Sequence, residues 1–383
     1  MIKLSKRGLN MRFTIVREEF LKGLTIVGRA IAAKNPVAVL SNIKLELNEE
    51  GLVLTGSNYD LSIKTLIPFK NGDNEIIRNY KEGATLINAK LITDIAREME
   101  EKEITLDVLD TTVATINDKR SEYQLNCVRV EEYPDLDLEA DGTNLVLTTA
   151  DFDLLVDQTA FAASNKDQRP VLTAINLEAF EGLLTATATD SARMAKKIMS
   201  VPNDVGFNVS VPAKMMTEVA RLIEGVSAVE IAVGDKKILF TFGKTIVATR
   251  LIAGDYPNTK NIVPRTTNYS LEVNSQELIK AITRAKLLSL DRENVVDLTM
   301  SEEGVTISAR ASQVGSSNEK IEMYRFEGDM LKISFNSEFV VSAIRALGSE
   351  DVVFGFVGEM KPFVIKNPAD ESVVQVVTPV RTY

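Results

Sequence analysis

The side chains that most often carry catalysis are nearly absent from this sequence of 383 residues. It contains no histidine and one cysteine, Cys127, which excludes Ser-His-Asp and Cys-His nucleophile systems and His/Cys zinc sites. Acid–base chemistry would therefore rest on carboxylates, and the 54 Asp and Glu residues provide many pairs without singling one out. A carboxylate-dependent hydrolase is one hypothesis, but no particular pair supports it.

Motifs that bind phosphates or metals are also missing. Gly243-Lys-Thr matches the end of a Walker motif, but no glycine stands where that motif begins. The acidic stretch from Asp135 to Asp141 lacks the spacing of a calcium-binding loop, and we interpret it as a solvated linker. The sequence therefore predicts no catalytic residue, no cofactor and no metal site.

Composition places the chain among ordinary globular proteins. Its 44 basic and 54 acidic side chains give a net charge of −10, and 45% of its residues are hydrophobic. At roughly 100–200 residues per domain, the length predicts two to three domains. No apolar run approaches the ~18 residues that span a bilayer, and the first residues lack the apolar stretch of a secretion signal, so we expect a cytoplasmic protein. The negative charge argues against gripping nucleic acid by bulk charge, but not against surrounding it.

The chain repeats itself three times. Similar segments begin at Asn88, Pro212 and Asn336, and both intervals are 124 residues. A second series, Tyr133-Pro and Tyr256-Pro, follows a strand-like run in each case. These intervals predict three similar units of about 125 residues in a row.

Each unit combines two helices with antiparallel strands. The opening helices show apolar residues at spacings of three and four, at Phe20, Leu24, Val27 and Ile31, at Phe152, Val156, Thr159 and Ala163, and at Leu278, Ile282, Ala285 and Leu288. Alternating β-branched runs bounded by glycine predict the strands. The fold class is therefore α+β with three tandem domains. The predicted ranges are an N-terminal extension at 1–10 and domains at 11–137, 143–263 and 267–383.

Several segments together resemble one family. They are Met11-Arg-Phe-Thr-Ile, Leu52-Val-Leu-Thr-Gly-Ser-Asn-Tyr-Asp-Leu-Ser-Ile, Thr159-Ala-Phe-Ala-Ala-Ser, Arg169-Pro-Val-Leu-Thr, Ala188-Thr-Asp-Ser-Ala-Arg, Gly254-Asp-Tyr-Pro-Asn-Thr, Ile333-Ser-Phe-Asn and Thr378-Pro-Val-Arg-Thr-Tyr. From Met11 to Tyr383 the chain is similar to the bacterial DNA polymerase III beta subunit, the sliding clamp, in its Gram-positive form.

The resemblance implies a fold and a function. It implies the DNA clamp fold and a head-to-tail homodimer that closes into a ring, with helices lining a central hole. Such a ring encircles double-stranded DNA without reading its sequence and tethers the replicative polymerase, the clamp loader and repair proteins through short linear motifs. The typical motif is a glutamine followed by bulky apolar residues. The family is a non-catalytic processivity factor, located in the cytoplasm at the nucleoid and replisome and not in a membrane.

The resemblance, with charge and repeat position, also assigns three sets of residues. The dimer interface is expected at Tyr123, Leu125, Leu287 and Leu288. The DNA-facing side chains are expected to be Lys34, Lys90, Arg97, Lys166, Arg169, Lys214, Arg221, Lys280 and Arg284. The partner-peptide cleft is expected at Leu172, Thr189, Arg193, Met194, Pro257, Ile262, Asn336, Phe339, Pro362, Val376, Val377, Thr378, Pro379, Val380 and Arg381.

The chain departs from the family pattern in places. The opening helix of the second domain, from Asp151, lacks the basic residues that such helices often carry, which predicts a small share in DNA contact. Ala192 stands where the family commonly has histidine, which predicts an altered partner preference. Residues 1–10 precede the usual start, and a misassigned start, a tag and a real extension all remain open. The sequence does not separate a housekeeping clamp from a second copy.

Overall fold

A computed structural model describes residues 11–32, 35–109, 112–139, 142–166, 168–223, 225–289, 294–311 and 313–381 of the chain. The predicted extension at 1–10 lies outside them. The helices are α1 (Arg17–Gly28), α2 (Ala89–Glu98), α3 (Thr149–Thr159), α4 (Ala213–Leu222), α5 (Ser275–Lys286) and α6 (Ser337–Leu347). None of the helices in these ranges is long and apolar enough to cross a lipid bilayer.

Antiparallel strands make up most of the remaining regular structure. They are β1 (Arg12–Val16), β2 (Asn42–Asn48), β3 (Gly51–Ser57), β4 (Leu61–Pro68), β5 (Lys70–Asn71), β6 (Asn74–Glu75), β7 (Ile77–Lys81), β8 (Gly83–Asn88), β9 (Glu103–Val108), β10 (Val113–Asn117), β11 (Glu122–Val128), β12 (Thr143–Thr148), β13 (Ala174–Phe180), β14 (Leu183–Thr189), β15 (Arg193–Ser200), β16 (Phe207–Pro212), β17 (Ala228–Val233), β18 (Lys237–Phe242), β19 (Thr245–Arg250), β20 (Tyr269–Asn274), β21 (Val295–Ser301), β22 (Gly304–Ala311), β23 (Gly315–Ile321), β24 (Arg325–Glu327), β25 (Leu331–Asn336), β26 (Asp351–Phe356), β27 (Phe363–Asn367) and β28 (Asp370–Val377).

The repeat predicted from the sequence is confirmed by the helix starts. Helices α2, α4 and α6 begin at Ala89, Ala213 and Ser337, which are again 124 residues apart. Two of them are capped by asparagine, because the side-chain oxygens of Asn88 and Asn336 accept hydrogen bonds from first-turn N–H groups. The same local sequence thus begins the second helix of successive units.

The opening helices bury the predicted apolar face but end earlier than the pattern suggests. In α1, Phe20, Leu24 and Val27 are fully buried. The last predicted positions, Ile31, Ala163 and Leu288, lie beyond the ends of α1, α3 and α5. Their N–H groups bond to the carbonyl three residues earlier, so each helix is followed by a tighter turn that still directs apolar side chains inward.

The chain divides into two compact units. The first contains residues 1–149 and 221–250, and its described strands form a 13-stranded sheet in the order β12-β17-β18-β19-β4-β3-β2-β8-β11-β10-β9-β1-β7. Strands β5 and β6 pair with each other. Helix α1 packs against β3 and β4 and against α2. Strand β19 pairs with β4, so residues of the second predicted domain continue the sheet of the first.

The second unit contains residues 150–220 and 251–383. It holds a nine-stranded sheet, ordered β16-β13-β14-β15-β28-β27-β26-β20-β24, and a four-stranded sheet, ordered β23-β22-β21-β25. Helix α5 packs against β22, β23 and α6 over a core of apolar side chains that includes Leu278, Phe335 and Phe354. Strand β28, the last of the chain, pairs with both β15 and β27.

Candidate functional site

A tight turn in the second unit joins β14 to β15. The Oδ1 atom of Asp190 accepts hydrogen bonds from the N–H groups of Ala192 and Arg193, at 2.9 and 3.0 Å. The Thr189 hydroxyl accepts the N–H of Ser191 at 3.1 Å and donates to the carbonyl of Arg193 at 2.6 Å. Ser191 has a φ of 79°, in the left-handed region that such a turn requires. These bonds fix the main-chain position of Arg193, from which its side chain extends.

The guanidinium of Arg193 lies between two aromatic rings and a carboxylate. Its Nε donates to Asp190 Oδ2 at 3.0 Å, and its central carbon is 4.5 Å from the ring centroid of Phe339 and 5.5 Å from that of Phe161. The side chains of Arg193 and Asp190 are only 14% and 16% exposed. Partial burial strengthens the ion pair and the cation–π contacts. Asn336 positions Phe339 by capping the helix that carries it.

A buried apolar cluster occupies the strand row next to Arg193. Met194, Val364 and Val376 form a buried cluster, against which Val263 and Val374 pack. Met194 is opposite Val376 in the strand register, and Val376 is opposite Val364. The strand pairing of β15, β28 and β27 therefore brings apolar residues from three segments together, one strand row from Arg193 and on the opposite face of the sheet.

The tail after β28 is held by main-chain hydrogen bonds. The N–H of Thr378 donates to the carbonyl of Ala192 at 2.9 Å, and the N–H of Val380 donates to the carbonyl of Ser334 at 2.8 Å. Pro379 between them is buried, whereas Thr378 and Arg381 are exposed. The tail thus runs beside the 189–193 turn and the strand that precedes α6. We call the turn 189–193, Phe161, Phe339, the apolar cluster and the tail 378–381 the groove region.

The structure brings together much of the predicted cleft. Thr189, Arg193, Met194, Phe339 and the tail from Val376 to Val380 all belong to the contacts described above. Leu172 is buried in the short turn Pro170–Thr173, which contacts β13 and β14. Pro257 and Pro362 are partly buried and Ile262 is exposed. They neighbour residues of the region, because Val263 touches the apolar cluster and Phe363 pairs with Val377.

Sequence reasoning missed three residues of the groove region: Phe161, Asp190 and Val364. Phe161 follows α3 in the short turn Ala160–Ala162, and periodicity counted its neighbours as helix core. The signal for Asp190 was present, because aspartate is typical of tight turns, where its side chain accepts main-chain N–H groups a few residues on. Tyr256, beside the predicted Pro257, is partly buried with its hydroxyl oxygen out of solvent, and this burial raises the pKa of the hydroxyl.

Basic side chains predicted to face DNA are exposed wherever the structure describes them. They are Lys90, Arg97, Lys166, Arg169, Lys214, Arg221, Lys280 and Arg284, whereas Lys34 lies outside the described residues. Arg97 pairs with Asp94 at 2.9 Å, and Arg284 pairs with Glu319 at 2.7 Å. The Glu319 pair raises the pKa of Arg284, chiefly through the hydrogen bond between them. Their role in DNA contact stays a prediction.

The residues predicted for the dimer interface lie on two different elements. Tyr123 and Leu125 are on β11, where 122–126 pair with β10, while β8 pairs only with Cys127 and Val128. Within the part of the chain that the structure describes, the other edge of 122–126 has no paired strand. Leu287, at the end of α5, is 70% exposed, and Leu288 is partly buried.

Comparison with known proteins assigns the chain to a class and then to a family. Profiles of the DNA polymerase III beta subunit match it three times in succession, with the N-terminal domain at 11–137, the central domain at 146–258 and the C-terminal domain at 260–381. Such a series defines a three-domain subunit of a replicative polymerase. The chain belongs to the DNA polymerase III beta subunit family.

Relatives and solved structures agree with this assignment. The Beta sliding clamp of Halalkalibacterium halodurans is 33% identical over 380 residues, covering 97% of this chain and 100% of the relative. The structure of the DNA polymerase sliding clamp from Bacillus subtilis has a TM-score of 0.94 at 30% identity and covers 98% of this chain and 100% of its own. A Pseudomonas aeruginosa sliding clamp bound to griselimycin has a TM-score of 0.90 at 25% identity, with 98% and 100% covered.

Proposed function

We propose that this chain is a DNA polymerase processivity factor, a sliding clamp that encircles duplex DNA and tethers the replicative polymerase to it. It is a non-catalytic subunit, and its family gives no support to the hydrolase hypothesis. The observation that carries the proposal is the unbroken series of three beta-subunit domains over a fold that matches sliding clamps. Replication and repair proteins, including the clamp loader, are its partners.

The groove region is the proposed site for partner peptides. The exposed residues Thr378 and Arg381 and the partly buried rings of Phe161 and Phe339 around Arg193 suit a short motif with bulky apolar residues. A short peptide buries little area, so a few anchoring side chains should dominate a moderate affinity. Partners that share one groove compete for it, which permits exchange at the primer end.

Ring closure is proposed to use the two open strand edges. The 122–126 edge of β11 carries Tyr123, and β23 is an edge of the four-stranded sheet, pairing only with β22 among the described strands. Exposed edges of this kind invite pairing with another chain. Leu287 and Leu288, at the end of α5, would add apolar contact between the two copies. Head-to-tail pairing of a dimer through these edges closes a ring.

DNA contact is proposed to be loose and electrostatic. The exposed basic residues, including Lys90, Lys214 and Lys280, would meet phosphates, while the net charge of −10 keeps overall affinity low. A clamp held by enclosure needs no tight binding, and weak contacts allow sliding. We place the protein in the cytoplasm, at the nucleoid and replisome. The domain ranges 11–137, 143–263 and 267–383 remain our proposal for its units.

One experiment tests the enclosure directly. The purified protein is loaded by a clamp loader onto primed circular DNA, and the circle is then cut with a restriction enzyme. A clamp held by topology stays on the circle and leaves after linearisation, measured by gel filtration of labelled protein. The control is the double variant Leu287→Lys and Leu288→Lys, which should be a folded monomer and should not be retained. Retention on linear DNA with free ends would contradict the proposal.

A further inference from the structure

The turn that begins the groove region has a close counterpart in the other unit. Between β3 and β4, the side-chain oxygen of Asn58 accepts the N–H groups of Asp60 and Leu61, at 3.1 and 2.9 Å. The Ser57 hydroxyl accepts the N–H of Tyr59 at 3.1 Å, and Tyr59 has a φ of 73°. Each of these three bonds has a counterpart in the 189–193 turn. The remaining bond differs, because the Thr189 hydroxyl donates to the Arg193 carbonyl whereas the Ser57 hydroxyl bonds to the hydroxyl of Ser62. One backbone conformation therefore occurs twice in the chain.

The two turns differ in charge. Asn58 is neutral where Asp190 is a carboxylate, and buried Leu61 stands where Arg193 carries its guanidinium. In both turns a single side-chain oxygen accepts the two N–H bonds. The turn therefore needs an oxygen at this position but not a negative charge. At Asp190 the second oxygen has a different task, because Oδ2 accepts the Nε–H of Arg193.

That ion pair restrains the direction of the arginine. The central carbon of the Arg193 guanidinium is 4.5 and 5.5 Å from the centroids of the two aromatic rings. These contacts alone would still allow the guanidinium group to rotate while it stays against the rings. The hydrogen bond from Nε to Asp190 removes this freedom. Arginine has five N–H donors, and this bond uses the one on Nε. The terminal NH₂ groups then keep one orientation, in which they can donate to carbonyl oxygens of a bound peptide.

We infer that Asp190 is a positioning residue for peptide binding: its charge is not needed for the turn, but orients Arg193 toward the main-chain or glutamine carbonyl oxygens of the partner motif. The inference rests on the proposed function of the groove region. Without the charge of Asp190, the main chain of Arg193 keeps its position in the turn, but its side chain loses its fixed orientation. The peptide must then restrain the side chain on binding, which lowers affinity.

The test compares matched asparagine and aspartate exchanges at the two turns. The full-length protein and the variants Asp190→Asn and Asn58→Asp are titrated calorimetrically with a synthetic peptide that has a glutamine followed by bulky apolar residues. Because asparagine supports the same turn at position 58, Asp190→Asn should keep its fold and dimeric state. Its peptide Kd should rise about 5- to 10-fold, because the peptide must now restrain one long side chain on binding. Asn58→Asp should bind as the wild type does.

A double-mutant cycle separates positioning from a general structural effect. If Asp190 acts through Arg193, then Asp190→Asn should change the Kd little in a protein that already carries Arg193→Leu. Equal affinity of Asp190→Asn and wild type would overturn the inference while leaving the groove as the peptide site. Additive losses in the double variant would overturn it as well. Failure of the wild type to bind the peptide would overturn the proposed groove function, and the inference with it.

Discussion

The strand pairs β4–β19 and β15–β28 occupy equivalent places in the repeat but carry different side chains. In the first unit, β4 pairs with β19, and the facing residues Thr65 and Thr245 share a buried hydrogen bond of 2.8 Å between their hydroxyls. In the second unit, β15 pairs with β28, and the residue equivalent to Thr65 is Lys197. It bonds instead to Asp370 at 3.0 Å and to Ser372 at 2.6 Å.

A second set of facing residues in the two strand pairs shows the same contrast between small polar and larger side chains. Ser62 faces Ala248 and forms a buried hydrogen bond with Ser57, whereas Met194 faces Val376 and joins the apolar cluster. The backbone pairing is common to both pairs, because it depends on main-chain groups that every residue supplies. A few side chains decide whether such a pair is a neutral junction of small residues or combines an ion pair with an apolar cluster.

The largest effect is expected from truncating the apolar side of this contrast. Met194→Ala removes a fully buried side chain and should lower the free energy of unfolding by about 3 kcal/mol. Ser62→Ala, at the equivalent position, loses one hydroxyl pair and should cost only about 1 kcal/mol. Hydrogen exchange of the β15 and β4 amides measures each loss where it occurs. Equal costs would mean that the two pairs are packed alike.

The ion pair between Lys197 and Asp370 should make the β15–β28 strand pair sensitive to acid. Burial alone would raise the pKa of Asp370, but hydrogen bonds from Ser372 and Lys197 outweigh it and hold that pKa below its usual 3.8. The bonds therefore stabilise the fold above pH 3.8, and this stabilisation is lost as the pH falls through the lower folded value. We expect exchange protection of β28 to decline in that range by about 1–2 kcal/mol, discounted because Asp370 is partly exposed.

Two controls isolate this acid effect. Asp370→Asn should flatten the decline in β28, since it removes the titrating group. The amides of β19, whose partner row is the neutral Thr65 and Thr245 pair, should keep their protection through the same pH range. A parallel decline in both strands would attribute the loss to general acid unfolding.

The helix caps provide a third comparison. Asn336→Ala and Asn88→Ala each remove a side chain that caps a helix start, so each should destabilise its helix by about 1 kcal/mol. Only Asn336 precedes a ring that contacts Arg193, through Phe339. Calorimetry should therefore show weaker peptide binding for Asn336→Ala and unchanged binding for Asn88→Ala. Equal affinities would show that the cap does not help to position Phe339.

The smallest effect should come from replacing both members of the hydroxyl pair. Thr65→Val alone leaves the Thr245 hydroxyl buried without its partner and should cost about 1 kcal/mol. Replacing both threonines by valine removes both polar groups and should bring the free energy of unfolding back near the wild-type value. Chemical denaturation of the single and double variants measures the difference. A double variant less stable than the single one would contradict a simple neutral pair.

Much of this organisation follows from local sequence. The 124-residue interval, the helix starts at Ala89, Ala213 and Ser337, and the buried faces of the opening helices were predictable, because periodicity and capping act within a few residues of chain. The family segments added the cleft list, including Thr189, Arg193 and the tail after Val376. The groove residues that were missed, such as Phe161, have no local pattern that separates them from helix core.

Only the tertiary structure decided which side chains meet. The ring of Phe339 reaches Arg193 across 146 residues of sequence, and β19 extends the sheet of the first unit through pairing with β4. Arg284, predicted from charge and repeat position to face DNA, forms its ion pair with Glu319 on a neighbouring strand. Such contacts depend on strand register and on distances in space. Spacing along the chain determines which face of an element a residue occupies, but the partner opposite that face comes from a distant segment that only folding brings near.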